Sequence, residues 1–300
     1  MHGGSETGFL TRIRAENPQS LKNPVSCGAN ASKTKIFEQD FEKKMDNLEK
    51  FARSKTASIV MPIAATILLF VLWEILVFLF KIPPYNLPAP SAIIAASFNQ
   101  SQALIENTGQ TLFTTLAGFM LAIVTGVVLG FLIGYSRIAY VVLYPLLVGF
   151  NTVPKVALVP LFALWFGIGT VPAILTAFLL AFFPIAVNVA LGLDTVEPEM
   201  KDVMRSLGAS QIEIFQKVGF PHTLPYVFAS LKVAISLAFV GTVISETVAS
   251  NKGIGYLIVT ASSNFDVPLG FAGLMVLAVM GTVLYALFAA AEKYLIYWAR

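Results

Sequence analysis

The sequence predicts an all-α membrane protein: six transmembrane helices with a cytoplasmic helix-turn-helix elbow between the fourth and the fifth. Three observations carry that prediction. The chain is 56% hydrophobic and only 12% charged, with a mean hydropathy of +0.76, whereas soluble domains carry about 25% charged residues. Apolar runs near the roughly 20 residues that cross a bilayer recur along the chain. The lysines and arginines of the short connections gather on one side once six crossings are drawn.

Residues 1–57 are expected to form a cytoplasmic tail ahead of a transmembrane domain over 58–300. The tail holds 10 Lys/Arg against 7 Asp/Glu and the remainder 10 against 10, so the formal net charge of +3 resides entirely in it. No strongly basic domain exists to meet nucleic acid. The tail lacks an apolar stretch near its start and does not read as a signal peptide. Residues 1–33 are rich in Gly, Ser, Asn and Pro and are expected to be disordered. In "KIFEQDFEKKMDNLEKFARSK", Phe37, Phe41, Met45, Leu48 and Phe51 recur at helical spacing. That pattern predicts an amphipathic helix lying on the membrane surface or on a neighbouring span. The single cysteine, Cys27, excludes an intrachain disulfide, and His2 and His222 are too remote to suggest a metal site. No cofactor is expected.

The first span is placed at 58–80 and the second at about 108–134, ending before Arg137. A third, over 138–166, is interrupted by Pro145, Pro154 and Pro160. The fourth, fifth and sixth fall at about 171–193, 228–250 and 271–291. Lys50, Arg53 and Lys55, then Arg137, then Lys201, Arg205 and Lys217, and finally Lys293 and Arg300 share one side, read as cytoplasmic. Both termini therefore face the cytoplasm. The connection 81–107 opens with four prolines in "KIPPYNLPAP" and is expected to run as an extended outer strap.

The elbow, about 194–227, carries the densest charge between apolar runs. Val196, Met200, Val203 and Leu207 make one helical stripe, with Glu197, Glu199, Lys201, Asp202 and Arg205 opposite. Gly208 supplies the left-handed residue that ends a helix. Ser210 followed by Glu213 is a capping box that opens the next one, with Ile212, Phe215 and Val218 as its stripe. Pro221 and Pro225 are expected to stop that second helix before the fifth span. So much punctuation predicts a rigid elbow, suited to seating a cytoplasmic partner that moves the attached spans.

"DVMRSLGASQIEIFQKVGFPHTLP" resembles the signature of bacterial ABC importer permeases, with Gly208 as the signature glycine and Leu224-Pro225 at its close. Asp202, Val203 and Met204 stand where Glu-Ala-Ala is usual, so the carboxylate is kept and two bulkier side chains replace alanines. The resemblance extends over roughly 60–295. "LPAPSAI", "NTVPKVALVPLFALWFGIG" and "VISETVASNKGIGYLI" look like the branch that imports nitrate, taurine and other sulfonates, or vitamin-related heterocycles such as a pyrimidine precursor or riboflavin. The resemblance implies a multi-pass protein of the bacterial inner membrane working by alternating access. Its implied partners are an ATP-binding subunit, an extracytoplasmic solute-binding protein and a second permease copy, the last most simply a homodimer. It also implies that Asp202, Arg205, Leu207, Gly208, Ala209, Ser210, Glu213 and Pro225 belong to the elbow that meets the ATPase.

Polar groups within apolar segments are costly and mark pathways or packing seams. Asn151, Lys155, Asn188 and Glu246 are candidates for the solute pathway, with structural roles as the alternative at each; Glu74 and Lys232 are the other two in spans. Broken helices line cavities in transporters, which directs attention to Asn151 and Lys155 among the prolines of the third span. The chain has no Walker lysine motif, and its Gly-Ile-Gly triplets follow no strand, so it does not hydrolyse ATP. An ion-gradient-driven carrier is the alternative transporter reading, but buried carboxylates are scarce. A membrane-embedded enzyme lacks a convergent catalytic set.

Overall fold

The computed structural model describes residues 57–296, with side chains from Val60 onward. The amphipathic segment expected around Phe37–Phe51 lies outside the described residues. By its internal contacts the chain divides into residues 1–69 and 70–300. Of the first unit, only the opening part of an apolar helix, α1 (Ala57–Leu79), is described. The rest of α1 and everything that follows belong to the second.

Among the described residues all regular structure is helical, as hydrocarbon demands of a chain that must satisfy its backbone internally. After α1 come α2 (Pro90–Asn99), α3 (Ser101–Tyr135), α4 (Arg137–Asn151), α5 (Val159–Phe166), α6 (Thr170–Asp194), α7 (Pro198–Ser206), α8 (Gln211–Ile214), α9 (Phe220–Ala249), α10 (Ile254–Ser263) and α11 (Val267–Leu295). Among the described residues five stretches are long and apolar enough to cross a membrane: Val60–Leu79, α3, α6, Gln211–Ala249 and α11. The pair Arg137–Asn151 and Lys155–Phe166 is bent by 77° and makes a sixth if taken as one span. That bend falls in the proline-interrupted stretch where the sequence reading places the third span.

Two expectations need correction, and one stretch left unassigned by the sequence reading is helical. The connection 81–107 is extended only in its first part: α2 begins at Pro90, and α3 is under way from Ser101. Proline at the first helical position is pre-organised for a helix start. The Glu74 carboxylate accepts from the Ser91 N–H at 3.0 Å and from its hydroxyl at 2.7 Å, holding that first turn. Residues 251–266 are not a simple connection, because α10 lies within them; at ten residues it is too short to cross. Finally, Pro221 and Pro225 do not end the elbow's second helix. A π-turn over Phe215–Gly219 carries it directly into α9, with Pro221 in the first turn of α9 and Pro225 inside it. The wider i→i+5 turn, with the Phe220 N–H bonded to the Phe215 carbonyl, relieves the register that proline disturbs.

The packing centres on α6, which lies against α3 on one side and α9 on another. Gly118, Gly126, Gly130 and Gly134 line the α3 face that meets Ala177, Ile185, Val189 and Leu193 of α6. A Cβ added at Gly130 would stand 2.5 Å from the Val189 Cβ and 2.7 Å from the Ala186 carbonyl oxygen. Lipid gives helices no hydrophobic reason to associate, so close backbone approach at small residues supplies the packing. Around this seam Phe119 and Ala122 of α3, Ala181 of α6, and Ala234, Ile235 and Ala238 of α9 are fully buried. Phe119 meets Phe288 edge-on at 5.0 Å, bringing in α11. Lys232 of α9 forms an ion pair with Glu292 of α11 at 2.6 Å. At the end remote from the elbow, the Gly169 N–H bonds the Ala249 carbonyl at 2.9 Å, tying the start of α6 to the end of α9.

Candidate functional site

The elbow is built from its punctuation. α7 starts with Pro198 and has Glu199 in its first turn and Arg205 in its last, both matched to the helix dipole. Asp202 and Arg205, three apart, pair at 2.9 Å on the exposed face. The helix then closes in a Schellman motif: the Ala209 N–H bonds the Met204 carbonyl at 3.0 Å, and the Gly208 N–H bonds the Arg205 carbonyl at 3.0 Å. This requires a left-handed residue between them, and Gly208 has φ of +81°. A Cβ there would meet nothing within 4 Å, so the requirement is one of backbone conformation alone.

Ser210 forms the expected capping box. Its N–H donates to the Glu213 carboxylate at 2.8 Å, and its hydroxyl oxygen accepts from the Glu213 N–H at 3.3 Å. The two arms are thus locked on either side of a short turn. Their apolar side chains face outward: Met200 is 47% exposed, Val203 58%, Leu207 77% and Ile212 65%. At the foot of the elbow Val196 and Ile214 are buried instead. Leu207 caps α7 rather than lying within it, and Pro225 sits inside α9, well past the turn.

Asn151 and Lys155 come together at the bend. The Lys155 ammonium donates to the Asn151 carbonyl at 3.0 Å and to its side-chain oxygen at 2.8 Å, capping the end of α4. It also lies 4.7 Å from the centre of the Phe183 ring, within cation–π range. Beside it is a hollow of about 410 Å³ lined mainly by Phe150, Phe178, Phe182, Phe183 and Leu147. Asn188 is not brought to this hollow; its amide donates to the Pro184 carbonyl one turn back along α6, at 2.8 Å.

Glu246 stands apart from both. Only 1% exposed, it is enclosed where α3, α9 and the start of α10 meet. Its carboxylate accepts from the Thr111 hydroxyl at 2.9 Å and from the Gly255 N–H at 3.0 Å. Thr111 accepts in turn from the Ile254 N–H at 2.8 Å, and the Asn107 side-chain oxygen accepts from the Gly253 N–H at 2.7 Å. Three successive N–H groups at the buried start of α10 are therefore satisfied from other helices, and the carboxylate is set against the positive end of that helix. Gly253, with φ of +107°, lies directly against the Glu246 carboxyl, where a Cβ would collide with it.

A helical bundle of five or six apolar candidate crossings among the described residues, carrying an elbow with exposed apolar side chains, is the architecture of a multi-pass membrane protein. The chain belongs to the binding-protein-dependent transport system inner membrane component family, whose model matches residues 122–296; it is an ABC transporter permease of the importer kind. It is 32% identical over 235 residues to the formylaminopyrimidine transport permease protein ThiX of Halalkalibacterium halodurans, covering 78% of this chain and 94% of that one. It is 33% identical over 234 residues to the riboflavin transport system permease protein RibX of Chloroflexus aurantiacus, covering 77% and 87%. Among solved structures, the inward-facing MetNI methionine ABC transporter matches with a TM-score of 0.57 at 18% identity, over 65% of this chain and 97% of that chain. That last likeness concerns the fold alone.

Sequence reasoning missed three features of this architecture. The glycines at 126, 130 and 134 are spaced by four, the signature of close helix approach in membranes, and could have been read. The Lys232–Glu292 pair joins residues sixty apart and leaves no local signal. The satisfaction of the α10 start by Asn107, Thr111 and Glu246 is likewise non-local.

Proposed function

We propose that this chain is the membrane-spanning subunit of an ATP-driven importer in the bacterial inner membrane, and that its elbow seats on a separate ATP-hydrolysing subunit. The observation that carries the reading is the elbow itself. Its turn is fixed by a Schellman motif and a capping box, and it presents the exposed apolar side chains of Met200, Val203 and Leu207. The second arm continues through the π-turn into α9, so a push on the elbow acts on that long helix without an intervening flexible joint. ATP-driven closure of two ATPase subunits would draw two elbows together and open the bundle outward, and hydrolysis would reverse the motion. A second copy of the chain completes the pathway, and an extracytoplasmic binding protein delivers the solute. The lysine and arginine distribution supports a cytoplasmic elbow and two cytoplasmic termini. A reporter active only in the periplasm, fused after Arg300, should stay silent; strong activity would contradict that orientation.

For the solute we favour a vitamin-related heterocycle of the pyrimidine or riboflavin type over taurine, other sulfonates or nitrate. The names of two relatives point that way. The hollow at the bend supports it: Phe150, Phe178, Phe182 and Phe183 offer ring faces for a planar solute, and Lys155 offers one cationic contact. The test is calorimetry on the cognate binding protein with a formylaminopyrimidine, riboflavin, taurine and nitrate, followed by uptake into vesicles holding the whole transporter. Heterocycle binding and uptake, with Lys155→Met raising KM, are expected. Binding of taurine or nitrate alone would overturn the solute and leave the importer standing.

A further inference from the structure

Two hollows meet at the base of the elbow. One, about 330 Å³, is lined by Lys201, Arg205 and Gln211, and also by Tyr135 and Phe215. The other, about 400 Å³, is almost wholly apolar; Val128, Leu132 and Ile212 line it, and so do the same Tyr135 and Phe215. The shared pair makes them neighbours, and together they form an amphipathic cleft divided by the Tyr135 and Phe215 rings. Lys201 and Arg205, four apart on α7, project from one face of that helix. Asp202 occupies one nitrogen of the Arg205 guanidinium, a group with five N–H donors in all. The apolar part runs along the outside of α3, with Val128 54% and Leu132 59% exposed. Tyr135, the last residue of α3, stands where cationic and apolar parts join, a position that tyrosines favour at membrane interfaces. From Val128 to Tyr135 the helix climbs about 10 Å at 1.5 Å per residue. The lining therefore changes from apolar to cationic along α3, toward the end of that helix next to the elbow.

We infer that this cleft binds one anionic phospholipid, with its phosphate on Lys201 and Arg205 and an acyl chain along Val128, Leu132 and Ile212. A free anion would use only the first hollow and a neutral lipid chiefly the second; an anionic lipid complements both at once. The bound lipid touches both arms of the elbow, Lys201 and Arg205 on α7 and Ile212 and Phe215 beyond the turn, and so braces the elbow against the end of α3.

The experiment uses the full-length permease purified in a neutral detergent. Native mass spectrometry and thermal unfolding are followed as dioleoylphosphatidylglycerol, dioleoylphosphatidylcholine or inorganic phosphate is added. Phosphatidylglycerol should be retained and should raise the unfolding midpoint at lower concentrations than phosphatidylcholine, and phosphate should do neither. Lys201→Gln should weaken phosphatidylglycerol retention about fivefold, the factor one basic residue is worth at an anionic lipid surface. Arg205→Gln is the second variant should the first elute aggregated. Leu132→Trp, which fills the groove and leaves the charges alone, should also weaken retention. Equal retention of the two lipids, a full stabilising effect from phosphate alone, or retention unchanged by either the charge or the groove variant would overturn the assignment.

Discussion

Substituting Gly130 by alanine adds one methyl group at the tightest point of the α3–α6 seam. In a helix interior such a change ordinarily helps, because glycine is about 1 kcal/mol less favourable there than alanine. Here the new Cβ would lie 2.5 Å from the Val189 Cβ and 2.7 Å from the Ala186 carbonyl oxygen. Ordinary contact begins near 3.5 Å, so the helices must part by close to 1 Å. Neither neighbour is the end of a flexible side chain; one is backbone and the other is fixed to it. Overpacking of this kind costs about 1–3 kcal/mol and is felt along the seam, since Gly126 and Gly134 share it. The net expectation is a loss of up to about 2 kcal/mol once the propensity gain is set against it. Gly109 lies on the same helix and has nothing within 4 Å of an added Cβ, so Gly109→Ala is the matched control. Both variants are purified in the same detergent and unfolded by heat, with monodispersity on size exclusion as the readout. Gly130→Ala should lower the midpoint, and Gly109→Ala should leave it unchanged or raise it. A midpoint for Gly130→Ala at or above that of Gly109→Ala would refute the claim that close approach at the glycines holds α3 to α6.

At the start of α10, Glu246→Ala should destabilise the purified permease by about 1–3 kcal/mol, because the buried Gly255 N–H loses its acceptor; Glu246→Gln, which keeps an acceptor oxygen, should cost less. Equal losses for the two would mean that the hydrogen bonds to Gly255 and Thr111 are not what the residue supplies. Lys232→Met, Glu292→Gln and the double variant, compared by unfolding midpoint, should show a coupling of about 1 kcal/mol between the partners. Additive effects would show that the ion pair contributes nothing to the contact between α9 and α11.

The fold class was legible because the bilayer imposes it: long apolar runs in a chain so poor in charge admit few architectures. The elbow's turn was legible for a local reason. Gly208 and the Ser210–Glu213 box each act within one helical turn, and the structure shows both at work. Its far boundary was not, because Pro221 and Pro225 were read as stops on the assumption of an α-helical register. The π-turn at Phe215–Gly219 changes that register and lets the helix continue. The break at Asn151–Lys155 showed in the density of prolines, but the ring-lined hollow beside it depends on Phe178, Phe182 and Phe183, brought in from α6. Glu246 illustrates the limit most plainly. A carboxylate in an apolar run signals importance, but Asn107 and Thr111 share its work from more than a hundred residues away.

The central proposal, that the elbow couples this permease to an ATPase subunit, is tested most directly at Gly208. The position has open space for a side chain but demands φ near +81°, so Gly208→Val changes the turn's geometry without a steric clash. A residue with a Cβ pays about 1 kcal/mol or more in that conformation, valine more than asparagine, which visits it readily. Co-purification of the ATPase subunit with the wild-type, Gly208→Asn and Gly208→Val permeases, at matched membrane levels, reads out the coupling. The account predicts near-normal association for asparagine and at least a fivefold loss for valine, with uptake falling in parallel. Full association and full uptake for Gly208→Val would contradict it and leave the elbow a surface connector.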